Sequence, residues 1–311
     1  MLYGQGAYKY EVVEHWAKIP DGMEFGTIGA LTTDAHDNVY VHTRGKHPML
    51  IFDCHGNFLS SWESGPFKSG HGVKVGPDGS VYCVDRGNHA VTKFDRDGQL
   101  LMTLGTRDVP SDTGYTYSKG HYDEGAASIK QVAGPFNTPT DIAIHPTTGE
   151  MFVTDGYGNA RVHKFAPDGT LIFSWGKLGH TAASFIIPHG IHIDHHERVW
   201  VADKMNHRIQ VFTTQGEYLD QWPVMRPQRP WLDDAETTMY VTELEGISIF
   251  TPDGRKLAHI SNKREEGGKM ANYFHPGSHA LDSQGNLYVA GRGAQGIRVL
   301  KFARKYDAPI D

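Results

Sequence analysis

One motif returns six times along the 311-residue chain, and a repeat of this kind constrains the architecture before any single residue is weighed. One copy reads Pro188-His189-Gly190-Ile191, then Arg198-Val199-Trp200-Val201-Ala202-Asp203, Asn206, Arg208-Ile209-Gln210-Val211-Phe212 and Gly216. Another reads Gly70-His71-Gly72-Val73, Asp78-Gly79-Ser80-Val81-Tyr82, Asp85, Asn88, Lys93-Phe94 and Asp97-Gly98. A third runs Pro139-Thr140-Asp141-Ile142, Phe152-Val153-Thr154-Asp155, Asn159, Lys164-Phe165 and Asp168-Gly169. The first copy (Gly29 to Gly56) and the sixth (Pro276 to Phe302) keep this order. The fifth (Trp231 to Gly254) keeps Met239-Tyr240-Val241 and Ile247-Ser248-Ile249-Phe250. Each copy is a set of short apolar runs split by Asp-Gly or Gly-Asn turns. Such turns need positive φ, which glycine and asparagine tolerate, and they suit antiparallel hairpins.

The pattern predicts one antiparallel sheet per copy. A single sheet of this kind cannot bury both faces, whereas six stacked radially can. The expected fold is therefore all-β: a six-bladed β-propeller spanning 1–311 as a single domain. The alternating segment Tyr8 to Trp16 is expected to complete blade six and close the ring. The third-strand aromatics Phe52, Phe94, Phe165, Phe212, Phe250 and Phe302 are spaced by 38 to 52 residues, except for one interval of 71. That interval places an insertion at about 105–135, between blades two and three. Long loops in compact domains are commonly functional. This one reads as a lid or as an ornament, with His121 and Tyr122 as candidate substrate contacts.

The formal charge is −6, and the chain has no basic cluster beyond Lys263-Arg264, which argues against nucleic acid as a partner. No apolar run approaches the roughly 20 residues that span a bilayer. Met1 to Tyr10 lacks the basic-then-apolar order of a signal peptide, so a cytoplasmic protein without a membrane partner is expected. Cys54 and Cys83 make no disulfide framework. Nineteen histidines are the unusual feature, since histidine ligates metals and exchanges protons near neutral pH.

Propeller ligands bind at one mouth of the ring, beside the loop entering each innermost strand. The residues expected there in blades one to six are Gly29, His71, Thr140, His189, Trp231 and Gly277. His71 and His189 stand two blades apart, about 120° in a six-fold ring. That is the separation of two ligands in a trigonal set of imidazoles around a divalent ion. Asp85, Asp155 and Asp203 recur at one repeat position, which argues for turn and interblade hydrogen bonds.

The run Phe136-Asn137-Thr138-Pro139-Thr140-Asp141-Ile142-Ala143-Ile144, followed by Phe152-Val153-Thr154-Asp155-Gly156-Tyr157-Gly158-Asn159-Ala160-Arg161, resembles peptidyl-α-hydroxyglycine α-amidating lyase, an NHL-repeat propeller. The resemblance spans roughly residues 25 to 303. It implies zinc as cofactor on three mouth histidines, two of them His71 and His189. It also implies Tyr157 as the catalytic tyrosine and Arg44, in His42-Thr43-Arg44-Gly45, as the active-site arginine. The third histidine would fall at Gly277, and the aspartate after it is Ser278 here. His279 and His275 flank the position. Strand alternation favours His279 as the replacement ligand.

These readings converge on a metal-dependent lyase or hydrolase acting on a small hydroxylated substrate, with Tyr157 as base and Arg44 holding an anionic part. Two other classes remain open. One is a non-catalytic NHL interaction module. The other is a calcium-dependent lactonase, for which Asp141 and Thr140 are the mouth residues of suitable type.

Overall fold

A computed structural model describes residues 2–63, 65–116, 122–261, 275–293 and 296–306. The chain folds as six antiparallel sheets, the blades of an all-β six-bladed propeller. Among the described residues the helical elements are Tyr122–Ala127 and the 3-10 turn Lys204–Asn206, and no helix is long and apolar enough to cross a membrane. Packing divides the chain into two compact units, residues 1–63 with 231–311, and residues 64–230.

The first unit holds blade one and blade six, together with blade five from Trp231 onward. Blade six is built from both ends of the chain. Tyr8–Val13 pairs with Gly296–Lys305, and Leu2–Gln5 adds a further strand outside it. The expectation that the N-terminal segment completes this blade is met. The junction is tied by Arg304, whose guanidinium donates to the hydroxyls of Tyr10 and Tyr240. The core of this unit centres on Trp16, Phe52 and Tyr288, with the Trp16 and Tyr288 rings 4.9 Å apart.

The second unit holds blades two, three and four. Their second strands, such as Val81–Asp85 and Met151–Asp155, are buried throughout, because sheets or loops cover both faces. That is why they read as continuous apolar runs and not as alternation. The outermost strands leave Leu100, Leu101, Leu171 and Ile172 exposed. The repeated aspartates tie the turns together. Asp155 accepts the Asn137 N–H and an Asn159 amide hydrogen, and Asp203 accepts the Ile186 N–H and Arg208 Nε. The insertion is pinned at Thr113, whose hydroxyl donates to the Gly158 carbonyl at 2.6 Å and accepts from Asn137 Nδ2.

The inner strands carry a β-bulge at their start, seen as register shifts at Ile28/Ala30, Gly70/Val73, Pro139/Asp141, Pro188/Gly190 and Pro276/Ser278. The extra residue lies at the mouth position, where a bulge re-aims a side chain. Each inner strand ends in a turn closed by one backbone bond, donated by Asp34, Gly76, His145, Asp194, Asp233 or Asp282. Five residues before these donors stand Gly29, His71, Thr140, His189, Gln228 and Gly277. The mouth residue of blade five is thus Gln228 and not Trp231, because Pro227, and not Pro230 three residues further along, corresponds to the prolines of blades three and four. The residue after each mouth histidine is glycine for a steric reason. A Cβ on Gly72 would lie 2.8 Å from Asp141 Oδ1, and one on Gly190 would lie 2.3 Å from the Gln228 carbonyl oxygen.

Candidate active site

The site lies in the second unit and is organised around one phenol. Tyr157 Oη is 2.9 Å from His189 Nε2 and 3.3 Å from His71 Nε2. The two imidazole centroids are 4.9 Å apart. The opposite nitrogens face carbonyl oxygens: His71 Nδ1 lies 2.7 Å from Thr140 O, and His189 Nδ1 lies 2.9 Å from Gln228 O. A carbonyl can only accept, so each Nδ1 carries the hydrogen. In the neutral ring each Nε2 then presents a lone pair. Burial pushes His189 well below the usual histidine range, and the nearby Lys204, His71 and Arg86 push it the same way. His189 is therefore neutral at physiological pH.

Tyr157 reaches this point because of one extra residue. Arg86 donates its backbone N–H to Ser69 O, Lys204 to Ile187 O and Arg44 to Thr27 O. In blade three the corresponding donor is Tyr157, to Thr138 O, and Gly156 is the added residue before it. A Cβ on Gly156 would sit 2.0 Å from the Pro188 carbonyl oxygen, so glycine is required there. In blades two and four the same repeat position holds cations, and they stand over the Tyr157 ring. Arg86 lies 5.3 Å from its centroid and Lys204 5.8 Å. Sequence reasoning passed over both, although each follows its blade's aspartate as Arg44 follows Thr43.

The insertion contributes to the walls of two cavities, one of them bordered by Tyr157. A cavity of about 460 Å³ is lined by Arg86, His89, Tyr115, Asn137, Thr138 and Tyr157, among others. A second, of about 450 Å³, is apolar and lined by Ala126, Ala127, Leu178, Ile186 and Met205 with others. Ala126 also packs with Tyr157 and Ile187.

Arg44 and His279 belong to the first unit. His279 is fully buried, hydrogen-bonded through Nδ1 to the Thr242 hydroxyl, with its ring 6.3 Å from that of Trp231. The bulge at Gly277 interrupts the alternation that aligned His279 with the mouth, and its repeat equivalents are the core residues Val73, Ile142 and Ile191. His121 lies outside the described residues, as do the side chains of Tyr122 and His275. Asp141 is held in a buried ion pair with Arg229 at 3.1 Å, and the Thr140 hydroxyl is spent on the Pro188 and Thr154 carbonyls. Among the described residues, no three His, Cys, Asp or Glu side chains are grouped as a metal site.

Comparison with known proteins bears on this geometry. The SMP-30/Gluconolactonase/LRE-like region family matches residues 92–245. Human NHL repeat-containing protein 3 is 28% identical over 260 residues, covering 80% of this chain and 65% of that protein. The probable peptidyl-alpha-hydroxyglycine alpha-amidating lyase of Caenorhabditis elegans is 29% identical over 169 residues, covering 53% of this chain and 43% of the relative. The chain is a six-bladed propeller similar to NHL repeat-containing proteins and to the amidating lyases. A solved streptogramin B lyase superposes on this propeller with a TM-score of 0.63 over 95% of this chain and 98% of the other, at 16% identity, which speaks for the fold alone. The chain spans about two thirds of the length of the NHL repeat-containing relative and under half of the lyase. Both mouth histidines and Tyr157 of this propeller come from the three blades of its second unit. At the blade-six mouth position, Gly277 offers no side chain.

Proposed function

We propose that this chain is a metal-dependent lyase of the amidating-lyase-like group, cleaving a small hydroxylated substrate of the N-acyl-α-hydroxyglycine type. The observation that carries the reading is the convergence of His71 Nε2 and His189 Nε2 on the Tyr157 hydroxyl, with both Nδ1–H groups anchored on backbone carbonyls. Anchoring the far nitrogen in this way orients imidazoles as metal ligands and raises their basicity. The pair therefore fits a divalent ion, with zinc the best match to nitrogen donors. The name of the Caenorhabditis elegans relative supports a lyase over a hydrolase.

His71 and His189 would hold the metal, which when bound supplies positive charge to an oxygen that becomes anionic at neutral pH. Tyr157 Oη then handles the proton. As the carbon–nitrogen bond breaks, the phenol would give its own proton to the departing amide nitrogen and take the proton of the substrate hydroxyl in its place. The hydroxyl carbon becomes an aldehyde and the nitrogen an amide, so atoms balance with no co-reactant. His279 is assigned to packing in the first unit.

Gly277 at the blade-six mouth favours one rival, a non-catalytic interaction module. The calcium-lactonase reading finds little support at Asp141, whose carboxylate is already paired with Arg229. The test is elemental analysis of protein purified without chelator, together with conversion of N-benzoyl-α-hydroxyglycine to benzamide and glyoxylate. About one metal per chain is expected, with both metal and turnover lost in His71→Ala. A zinc-reconstituted protein that neither retains metal nor turns over this compound would rule the lyase out.

A further inference from the structure

Beside Tyr157, the cavity of about 460 Å³ has a wall chemistry that the lyase reading does not use. Its size is that of a small-molecule site. Among the described residues, Arg86 is the permanently charged side chain lining it, and no carboxylate lines it. The neighbouring Asp85 is spent on the backbone N–H groups of Ser69 and Gly87. Arg86 is oriented by a bond from its Nε to the Ser69 hydroxyl at 3.2 Å.

The second donor is His89. It sits in the left-handed region with φ 56°, and its Nδ1 accepts the Thr138 backbone N–H at 3.1 Å. Accepting at Nδ1 requires the hydrogen of the neutral ring to lie on Nε2. Burial lowers the basicity of this imidazole, which keeps it in that form. His207 makes the equivalent bond in blade four, from the Arg226 N–H with φ 54°, so the Nδ1 bond belongs to the repeat. What sets His89 apart is that it shares a cavity wall with Arg86 and Tyr157.

We propose that this cavity is a carboxylate subsite in which Arg86 supplies the charge and His89 a neutral N–H donor. A guanidinium fork matches the paired oxygens of a carboxylate, and one added neutral donor suits a single negative charge. Tyr115, brought in by the insertion, walls the same space and offers an aromatic face to the uncharged part of the ligand. The placement of the carboxylate next to the reacting carbon rests on the lyase reading, through the shared residue Tyr157. The subsite itself does not.

The probe is hippurate (N-benzoylglycine), which carries the carboxylate but no hydroxyl to be cleaved, with benzamide as its carboxylate-free control. Calorimetry should show hippurate weakened tenfold or more by Arg86→Met and partly restored by Arg86→Lys, with benzamide unchanged in both. In His89→Asn the side-chain oxygen can stand in for Nδ1, and asparagine tolerates positive φ. Only the distal N–H is lost, so hippurate affinity should fall severalfold while the melting temperature holds. Hippurate that does not bind the wild type, or binds Arg86→Met equally well, overturns the subsite, as does a parallel loss for benzamide. Arg86-dependent hippurate binding in a protein without lyase turnover would sink the proposed function and leave the subsite standing.

Discussion

His189 donates from Nδ1 to the carbonyl oxygen of Gln228 at 2.9 Å, and this one bond decides which nitrogen faces Tyr157. His71 makes the same bond to Thr140. In both cases the acceptor is the mouth residue of the next blade. The repeat thus orients both imidazoles through backbone atoms, whatever side chain the neighbouring blade carries.

If the Tyr157 hydroxyl handles a proton and does not hold the metal, Tyr157→Phe should keep its metal and lose turnover by about 10²- to 10⁴-fold. His189→Ala should lose both. Metal per chain and kcat, measured on the same preparations, separate the two roles. Loss of metal in Tyr157→Phe would assign the phenol to the metal.

Gly156→Ala should be costly out of proportion to its size. Its Cβ would be placed 2.0 Å from the Pro188 carbonyl oxygen, so the backbone must move and carry Tyr157 with it. The expected cost is about 1–3 kcal/mol of stability, with a far larger fractional loss of activity. Denaturant unfolding and steady-state turnover of the variant check both. A fully active Gly156→Ala would show that the position of Tyr157 does not depend on this close approach.

Acid should destabilise the fold through His189. Its folded-state basicity is depressed below the ordinary value of 6.5, chiefly by burial. The unfolded chain therefore takes up a proton first. The stabilisation is complete above about pH 6.5 and is lost as pH falls toward the lower folded value, by up to about 1.4 kcal/mol per pH unit. His89 acts with the same sign. Melting temperature recorded across this range should fall less steeply for His189→Gln than for the wild type. Parallel curves would assign the acid sensitivity to other groups.

Arg229→Met should be among the most destabilising single changes in the second unit. It strands the Asp141 carboxylate in a buried site, where desolvation already raises its pKa against the pull of Arg229. Breaking such a pair by removing one partner costs about 3–5 kcal/mol. Adding Asp141→Asn to it should recover part of that loss. Urea unfolding of the two variants tests this, and a single variant as stable as the wild type would show that the pair contributes little.

The strands were legible because each blade repeats the same apolar runs and turns, so errors in one copy are corrected by the others. His71 and His189 were legible for the same reason, since both stand at one position that the repeat defines, whereas Tyr157 was singled out by the resemblance to the amidating lyases. One reading failed where the register was misplaced. Blade five carries two prolines, and Pro227, not Pro230, corresponds to Pro139 and Pro188, so Trp231 was read where Gln228 stands. At Gly277 a bulge adds one residue and interrupts the strand alternation that had aligned His279 with the mouth. Bulges follow from how a strand meets its neighbour and leave no mark in the run of residue types. Arg86 and Lys204 were missed although their repeat position was readable.

The sequence by itself determined the six sheets, their order, the use of the N-terminal segment in the last of them and the pairing of two mouth histidines. These follow from local apolar patterning and turn chemistry, which act between residues near in the chain. Only the tertiary structure decided that both Nε2 atoms meet at the Tyr157 hydroxyl, that Arg86 and Lys204 stand over its ring, and that the insertion helps to line a cavity there. Those relations join residues from different blades, and they depend on bulges, close glycine contacts and backbone acceptors that exist only once the blades have packed.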